Sequence, residues 1–398
     1  MPKVLRIINR FNLGGPTYNA AYLTKYLAPE FETLLIGGAI DETEGNSEYI
    51  VKNLGIEPLI IPEMRRSLNP VLDNKAYRKI KKIICEFKPD IVHTHASKAG
   101  TLGRYAAYKM KVPVIVHTFH GHVFDAYFNK YLSAFYKNIE RYLAKKSSCI
   151  IALSENQKND LSSTYRICGK EKIKIIPLGF DLERFQQDYE EKRRIFREQY
   201  NLGDDEIAVA IIGRIVPVKN HELFLDAVKK VSTKTSKKIR IFIVGDGECK
   251  KDLMNKAAKL GLSFTENISG SFTSLITFTS WIKEIDKVIA GIDVVCMTSL
   301  NEGTPVSLIE AQAGNKPIVA TNVGGIENVV IPGKTALLSP NNEVHAFAQN
   351  LNKIIESADL RNELSQQGWA FVKEKFHYMR LVNDTRNLYN RLLKQLPY

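Results

Sequence analysis

The chain has 398 residues, 44% of them hydrophobic and 25% charged, with a formal net charge of +13. This exceeds the roughly 250–300 residues at which a single core stops growing, so two domains are expected, and the composition is globular rather than fibrous or disordered. Five scattered cysteines without a C-x-x-C argue against a disulfide framework or a thiolate zinc site, and no run approaches the roughly 20 apolar residues of a membrane span.

In chain order, the N-terminal "MPKVLRIINRF" is too short in apolar character for a secretory signal, so a cytoplasmic setting is expected. Strands are predicted at 4–8, 33–36, 58–61, 91–94, 114–118, 150–153 and 173–177, with helices at 18–27, 75–87 and 129–145 between them. A charged stretch poor in strand signal, 180–206, reads as the linker. The alternation then restarts at 207–212, 240–244, 293–297 and 317–320, and the chain ends in one amphipathic helix. Apolar strands separated by helices imply parallel sheets covered on both faces, and two such series imply two doubly wound domains. The expected domains are 1–185, 186–378 and a terminal helix 379–398.

The charge is uneven: residues 1–185 carry +10 and the remainder +3. A basic first half suggests an anionic partner, whether a lipid surface, a phosphorylated acceptor or nucleic acid; the plain alternative is ordinary surface lysine. No reading motif or interleaved aromatic platform for nucleic acid is recognisable.

In such sheets ligands bind beyond the carboxyl ends of the strands, so the loops after strands carry the chemistry. Gly14-Gly15 follows the first strand, where backbone can approach a ligand closely; a tight turn is the equal alternative. Five of the eight histidines, His93, His95, His117, His120 and His122, fall within thirty residues. Alternation puts His93 and His95 on one strand face, which raises zinc, but no cysteine or acid is interleaved. Packed, hydrogen-bonded histidines are the expectation, with His120 at a strand exit placed to line a cleft. Arg214 and Lys219 in "GRIVPVKNHE" are two cations at a strand's end, suited to a pyrophosphate; ordinary surface cations are the rival. In "SLNEGTPVSLIEAQAGNKP", Thr304 reads as an N-cap and Pro305 as the first helical residue. A helix start attracts phosphate, yet Glu302 and Glu310 flank it, so each carboxylate needs another task.

Together these residues resemble the retaining glycosyltransferases of family 4. The carriers are Gly14-Gly15, "TFHGH" around His120, "GRIVPVKNHE", the E-x7-E of Glu302 and Glu310, and "TNVGGIENVV". The resemblance implies the GT-B fold, two Rossmann-like α/β domains of doubly wound parallel sheets facing a cleft. The terminal helix would cross back to the first domain.

It further implies sugar transfer from a nucleotide-diphosphate sugar, most often a UDP-sugar, to a glycan or lipid-linked acceptor in surface polysaccharide synthesis, with retained configuration. Catalytic roles then fall to His120, Glu302, Arg214 and Lys219. Donor contacts fall to Gly14, Gly15, Arg214, Lys219, Ile282, Glu302, Gly303, Thr304, Val306, Ser307 and Glu310, and acceptor contacts to His95, Lys98 and His122. Glu310 would take the ribose hydroxyls at about 7–8 Å along the helix from Pro305, and Glu302 the sugar hydroxyls. No metal or cofactor is expected, since no D-x-D occurs. Basic helices such as 74–88 suggest peripheral contact with an anionic membrane. A nucleotide-sugar 2-epimerase on the same fold, or a non-catalytic nucleotide-sugar binder, are the alternatives.

Overall fold

The computed structural model describes residues 1–11, 15–38, 48–65, 67–121, 130–266 and 274–396. Two compact units are present, one formed by 1–180 with 376–398 and the other by 181–375. The division falls a few residues before the expected 185 and 378 because the chain leaves and re-enters the first unit side by side. Phe180 N donates to Phe376 O (2.8 Å) and Tyr378 N to Phe180 O (3.0 Å). Residues 181–186 already belong to the second unit, where Phe185 is buried.

The first unit carries β1 (Lys3–Arg10), β2 (Glu32–Gly38), β3 (Leu59–Ile61), β4 (Ile91–His95), β5 (Val114–Thr118), β6 (Cys149–Ala152) and β7 (Ile173–Ile175). All pair in parallel, in the order β3-β2-β1-β4-β5-β6-β7. Every residue of β4 and β5 is buried, as a two-face-covered parallel sheet requires. The order reverses between β1 and β4, which makes that the switch point.

The helix Tyr378–Lys394 closes this unit. Leu381, Val382, Thr385, Leu388, Tyr389 and Leu392 form its buried stripe at helical spacing, packed with Leu23, Leu27 and Phe31. Arg380 Nη2 donates to Pro177 O (2.8 Å) and Leu178 O (2.7 Å), locking its first turn.

The second unit carries β8 (Glu206–Ile212), β9 (Lys238–Val244), β10 (Phe264–Thr265), β11 (Ile276–Ser280), β12 (Val294–Met297), β13 (Ile318–Thr321) and β14 (Ala336–Ser339). They are again all parallel, ordered β10-β11-β9-β8-β12-β13-β14, with the switch point between β8 and β12. β10, β11 and β14 were not expected. They are short strands of two, five and four residues: the first two interleave apolar residues with Thr and Ser, and the third has only three apolar residues, so their apolar signal is weak.

Candidate functional site

The loops after β8 and β12 leave adjacent strands at the second unit's switch point, and they are stitched together. Thr298 Oγ1 donates to Lys219 O (3.1 Å) and Asn220 O (2.9 Å), and Leu300 N to Val218 O (2.8 Å). Glycine makes the close packing feasible. Gly245 and Gly247, after β9, press on the β8 loop, where an added Cβ would lie 2.0 Å from Gly213 O and 2.3 Å from Ile215 O. Gly324 and Gly325, after β13, press on Glu302 and Gly303; a Cβ on Gly325 would lie 1.8 Å from Gly303 O, and Gly325 N donates to Glu302 O (2.8 Å). The double glycine of "TNVGGIENVV" is therefore a rest for the glutamate loop.

On this platform Lys219 Nζ donates to Glu302 Oε1, which also accepts from Ser299 Oγ (2.6 Å). The two side chains are 24% and 10% exposed, so each charge is balanced by the other with little water to screen it. Arg214 lies on the same loop, exposed, with no ion pair among the described residues. The following helix is Val306–Ala313. Thr304 does not cap it, contrary to expectation. Pro305, extended at φ −71° and ψ 104°, takes the cap position, and a proline has no side-chain acceptor to turn on the first-turn amides. With no acid in its first turn, the helix offers the amides of Val306 and Ser307 and its positive dipole end beside the Lys219–Glu302 pair.

Glu310 sits on the next turn of this helix, its side chain 16% exposed. Burial pushes its carboxyl up to about 7; Arg184, 3.5 Å away, opposes this, and Asp286 adds to it. Ile282 lies just past β11 on the same sheet edge. Its loop is held because Gly245 N donates to Ser280 O (3.0 Å) and Lys250 Nζ to Ser280 Oγ (3.0 Å). The second unit thus gathers Arg214, Lys219, Ile282, Glu302, Gly303, Thr304, Val306, Ser307 and Glu310 on loops and a helix start at one edge of its sheet.

In the first unit the histidines form a hydrogen-bonded stack. His93 and His95 stack at 4.2 Å, as alternation along β4 predicts. Arg6 Nη1 lies 3.1 Å from His93 Nδ1; a guanidinium only donates, so Nδ1 accepts and Nε2–H donates to Thr118 Oγ1 (2.8 Å). Tyr389 OH, from the terminal helix, reaches the same Nδ1 at 2.7 Å. His95 Nδ1 and His120 Nε2 are 3.0 Å apart. Burial holds His95 well below the ordinary histidine range and His120 down to about 3, so both rings are neutral and share one proton across that contact. His95 Nε2 and His120 Nδ1 are buried without a partner among the described residues. Among those residues no group of histidine, cysteine and acid is arranged to hold a metal.

Three further expected contacts fall on residues of the first unit with the following surroundings. His95 is 1% exposed, a core ring that no acceptor can reach from solvent. Lys98 donates to Arg65 O (2.8 Å) and Ser67 O (2.6 Å) and forms an ion pair with Asp73 Oδ1 (2.5 Å), so its ammonium is engaged within the first unit. Gly15 opens the helix Gly15–Tyr26, where an added Cβ would meet the Leu178 Cδ1 methyl at 2.9 Å. Gly14 and His122 lie outside the described residues. Sequence reasoning missed Ser299 and Arg184, since neither stands out from ordinary loop composition.

Comparison with known proteins adds the decisive observation. Residues 13–184 match the family described as Glycosyltransferase Family 4 and residues 192–370 the family described as Glycosyl transferases group 1. The chain is a family 4 glycosyltransferase. The enzyme is 28% identical over 341 residues, 84% of each chain, to the UDP-Gal:alpha-D-GlcNAc-diphosphoundecaprenol alpha-1,3-galactosyltransferase of Escherichia coli. It is 25% identical to the capsular polysaccharide biosynthesis glycosyltransferase CapM of Staphylococcus aureus, over 84% of this chain and 85% of that one. Its fold is that of Anabaena Alr3699/HepE, solved in complex with UDP, at a TM-score of 0.79 and 19% identity, covering 98% of this chain and 100% of that one. This glycosyltransferase therefore has the GT-B fold, and neither the epimerase nor the non-catalytic reading is favoured.

Proposed function

We propose that this glycosyltransferase moves a hexose from a UDP-sugar to a lipid-linked glycan acceptor, with retained configuration and without a metal. The observation that carries the donor reading is the Lys219–Glu302 pair beside an uncapped helix start at the β8/β12 switch point. The diphosphate would lie against the amides of Val306 and Ser307, with Arg214 and Lys219 supplying positive charge where the leaving group gains negative charge. Glu310 would accept the ribose hydroxyls and Glu302 the sugar hydroxyls. Ile282 would border the base, with Gly303 and Thr304 shaping the sugar side. His120, neutral at working pH, would serve as a hydrogen-bonding wall rather than a titrating base.

Retention without a placed nucleophilic carboxylate favours a front-face path, in which the leaving phosphate takes the acceptor proton. The bond from the anomeric carbon to phosphate oxygen breaks as the bond to the acceptor oxygen forms.

A lipid-linked acceptor is supported by the Escherichia coli relative, whose name specifies a diphosphoundecaprenol substrate, and by one face of the first unit. There Tyr77, Tyr105, Phe135 and Tyr142 line a groove between the helices Pro70–Phe87, Ser97–Lys109 and Lys130–Lys146. Lys81 and Lys109 stand over Tyr77 and Tyr105 at 5.8 and 5.5 Å. Tyr131 and Phe135 are 89% and 58% exposed. Aromatic bodies rimmed by lysine suit an anionic bilayer surface, and among the described residues no helix is long and apolar enough to cross one.

A thermal-shift screen against UDP-, GDP- and ADP-sugars, with and without EDTA, followed by product analysis with the stabilising donor, tests the donor, the stereochemistry and the metal requirement. Stabilisation by a GDP-sugar alone would overturn the UDP assignment. Co-sedimentation no better with anionic than with neutral liposomes would overturn the membrane arm.

A further inference from the structure

We infer that Arg184 is a positioning residue for the donor site, holding the Glu310 carboxylate oriented toward the nucleoside. The inference rests on the ribose-binding reading of Glu310.

Arg184 lies in the single turn Glu183–Phe185, in the segment that sequence reasoning treats as linker. That turn is tied to the helix Val306–Ala313 through the residue that follows it. Gln186 Nε2 donates to Ala313 O (2.5 Å) at the helix's carboxyl end, and Phe185 is 3% exposed. From the other side Lys192 Nζ donates to Arg184 O (2.6 Å). With its backbone held thus, the guanidinium lies over the Phe185 ring at 4.8 Å and reaches Glu310 Oε1 at 3.5 Å.

The other charged groups facing this spot come from two helices. Asp286, on Ile285–Gly291, repels the Glu310 carboxylate but is itself neutralised by Lys192 of Tyr189–Gln199, 3.0 Å away. Arg184 is therefore the cation that directly opposes burial at Glu310. A carboxylate accepts both hydroxyls of a vicinal diol, whereas the protonated form gives one oxygen to its own O–H. Without Arg184 the site would lose acceptor capacity near neutral pH, where burial already favours the proton.

Calorimetric binding of UDP and of 2′,3′-dideoxy-UDP, from pH 6 to 9, tests this on wild type, Arg184→Ala, Arg184→Lys, Glu310→Gln and the Arg184→Ala/Glu310→Gln double variant. Arg184→Ala should weaken UDP about tenfold at pH 6.5, with the loss shrinking toward pH 9 as the pH midpoint moves up by about one unit. Arg184→Lys should recover part of the affinity. In the Glu310→Gln background Arg184→Ala should add nothing. An equal loss in that background means Arg184 touches the nucleotide itself, and an equal loss for UDP and the dideoxy analogue means a merely structural effect; either overturns the inference while leaving Glu310's role intact. Wild-type protein that binds the two nucleotides equally overturns the ribose assignment and the inference with it.

Discussion

Replacing Glu310 by glutamine removes a charge that the fold makes costly, so the free enzyme should become more stable exactly where its donor binding fails. The carboxyl rises from an ordinary value near 4.5 to about 7, chiefly through burial. At about 1.4 kcal/mol per unit this is on the order of 3 kcal/mol at full ionisation. Allowing for the 16% of the side chain left in water, about 2 kcal/mol remains. The native carboxyl holds its proton more tightly than the unfolded one, so native protein binds more protons between about pH 4.5 and 7 and stability falls as pH rises through that window.

Glutamine has no such slope. Its gain should be about a quarter of full at pH 5 and nearly full at pH 8, where about 2 kcal/mol corresponds to roughly 4–8 °C for a unit of this size. Scanning calorimetry of the whole chain at the two pH values reads it. Lys316, which burial pulls from 10.5 down to about 7, adds the opposite slope from about pH 7 upward, so only the difference between variant and wild type is informative. A melting shift of equal size at pH 5 and pH 8, or a loss of stability at pH 8, would refute the reasoning. The same variant should bind UDP more weakly, a trade of stability against function.

Glu302→Ala frees Lys219 from its ion pair, so UDP affinity by calorimetry should match or exceed wild type while transfer falls on the order of a hundredfold; parallel loss of both would contradict the separate roles of the two glutamates. Gly325→Ala must displace the Glu302–Gly303 loop and should cut kcat heavily, whereas Gly333→Ala, at φ +74° with open space around its Cβ, should cost about 1 kcal/mol in stability and leave the rate near wild type. Because His120 is held near 3, rate profiles between pH 5.5 and 8.5 should show no limb that disappears in His120→Gln; such a limb would restore it as a titrating base.

The seven strands of the first sheet and the four adjacent central strands of the second, β9, β8, β12 and β13, were legible because a parallel strand covered on both faces reads as a mostly apolar run. His93 and His95 shared a face for the equally local reason of period-two alternation. Glu302 and Glu310 stood out locally as acids flanking a helix start, and Arg214 and Lys219 as cations following a strand.

Local pattern could not assign the cap at Pro305 rather than Thr304, because the backbone angle at that step depends on the loop packed beneath it by Gly324 and Gly325. It could not see that Lys98 pairs with Asp73, that Lys219 pairs with Glu302, or that Arg184 reaches Glu310. Each of these is a meeting of side chains from separate segments. Periodicity along a chain reports which face an element buries; which charges stand opposed, and how much water they keep, is decided only when the sheet brings distant loops to one edge.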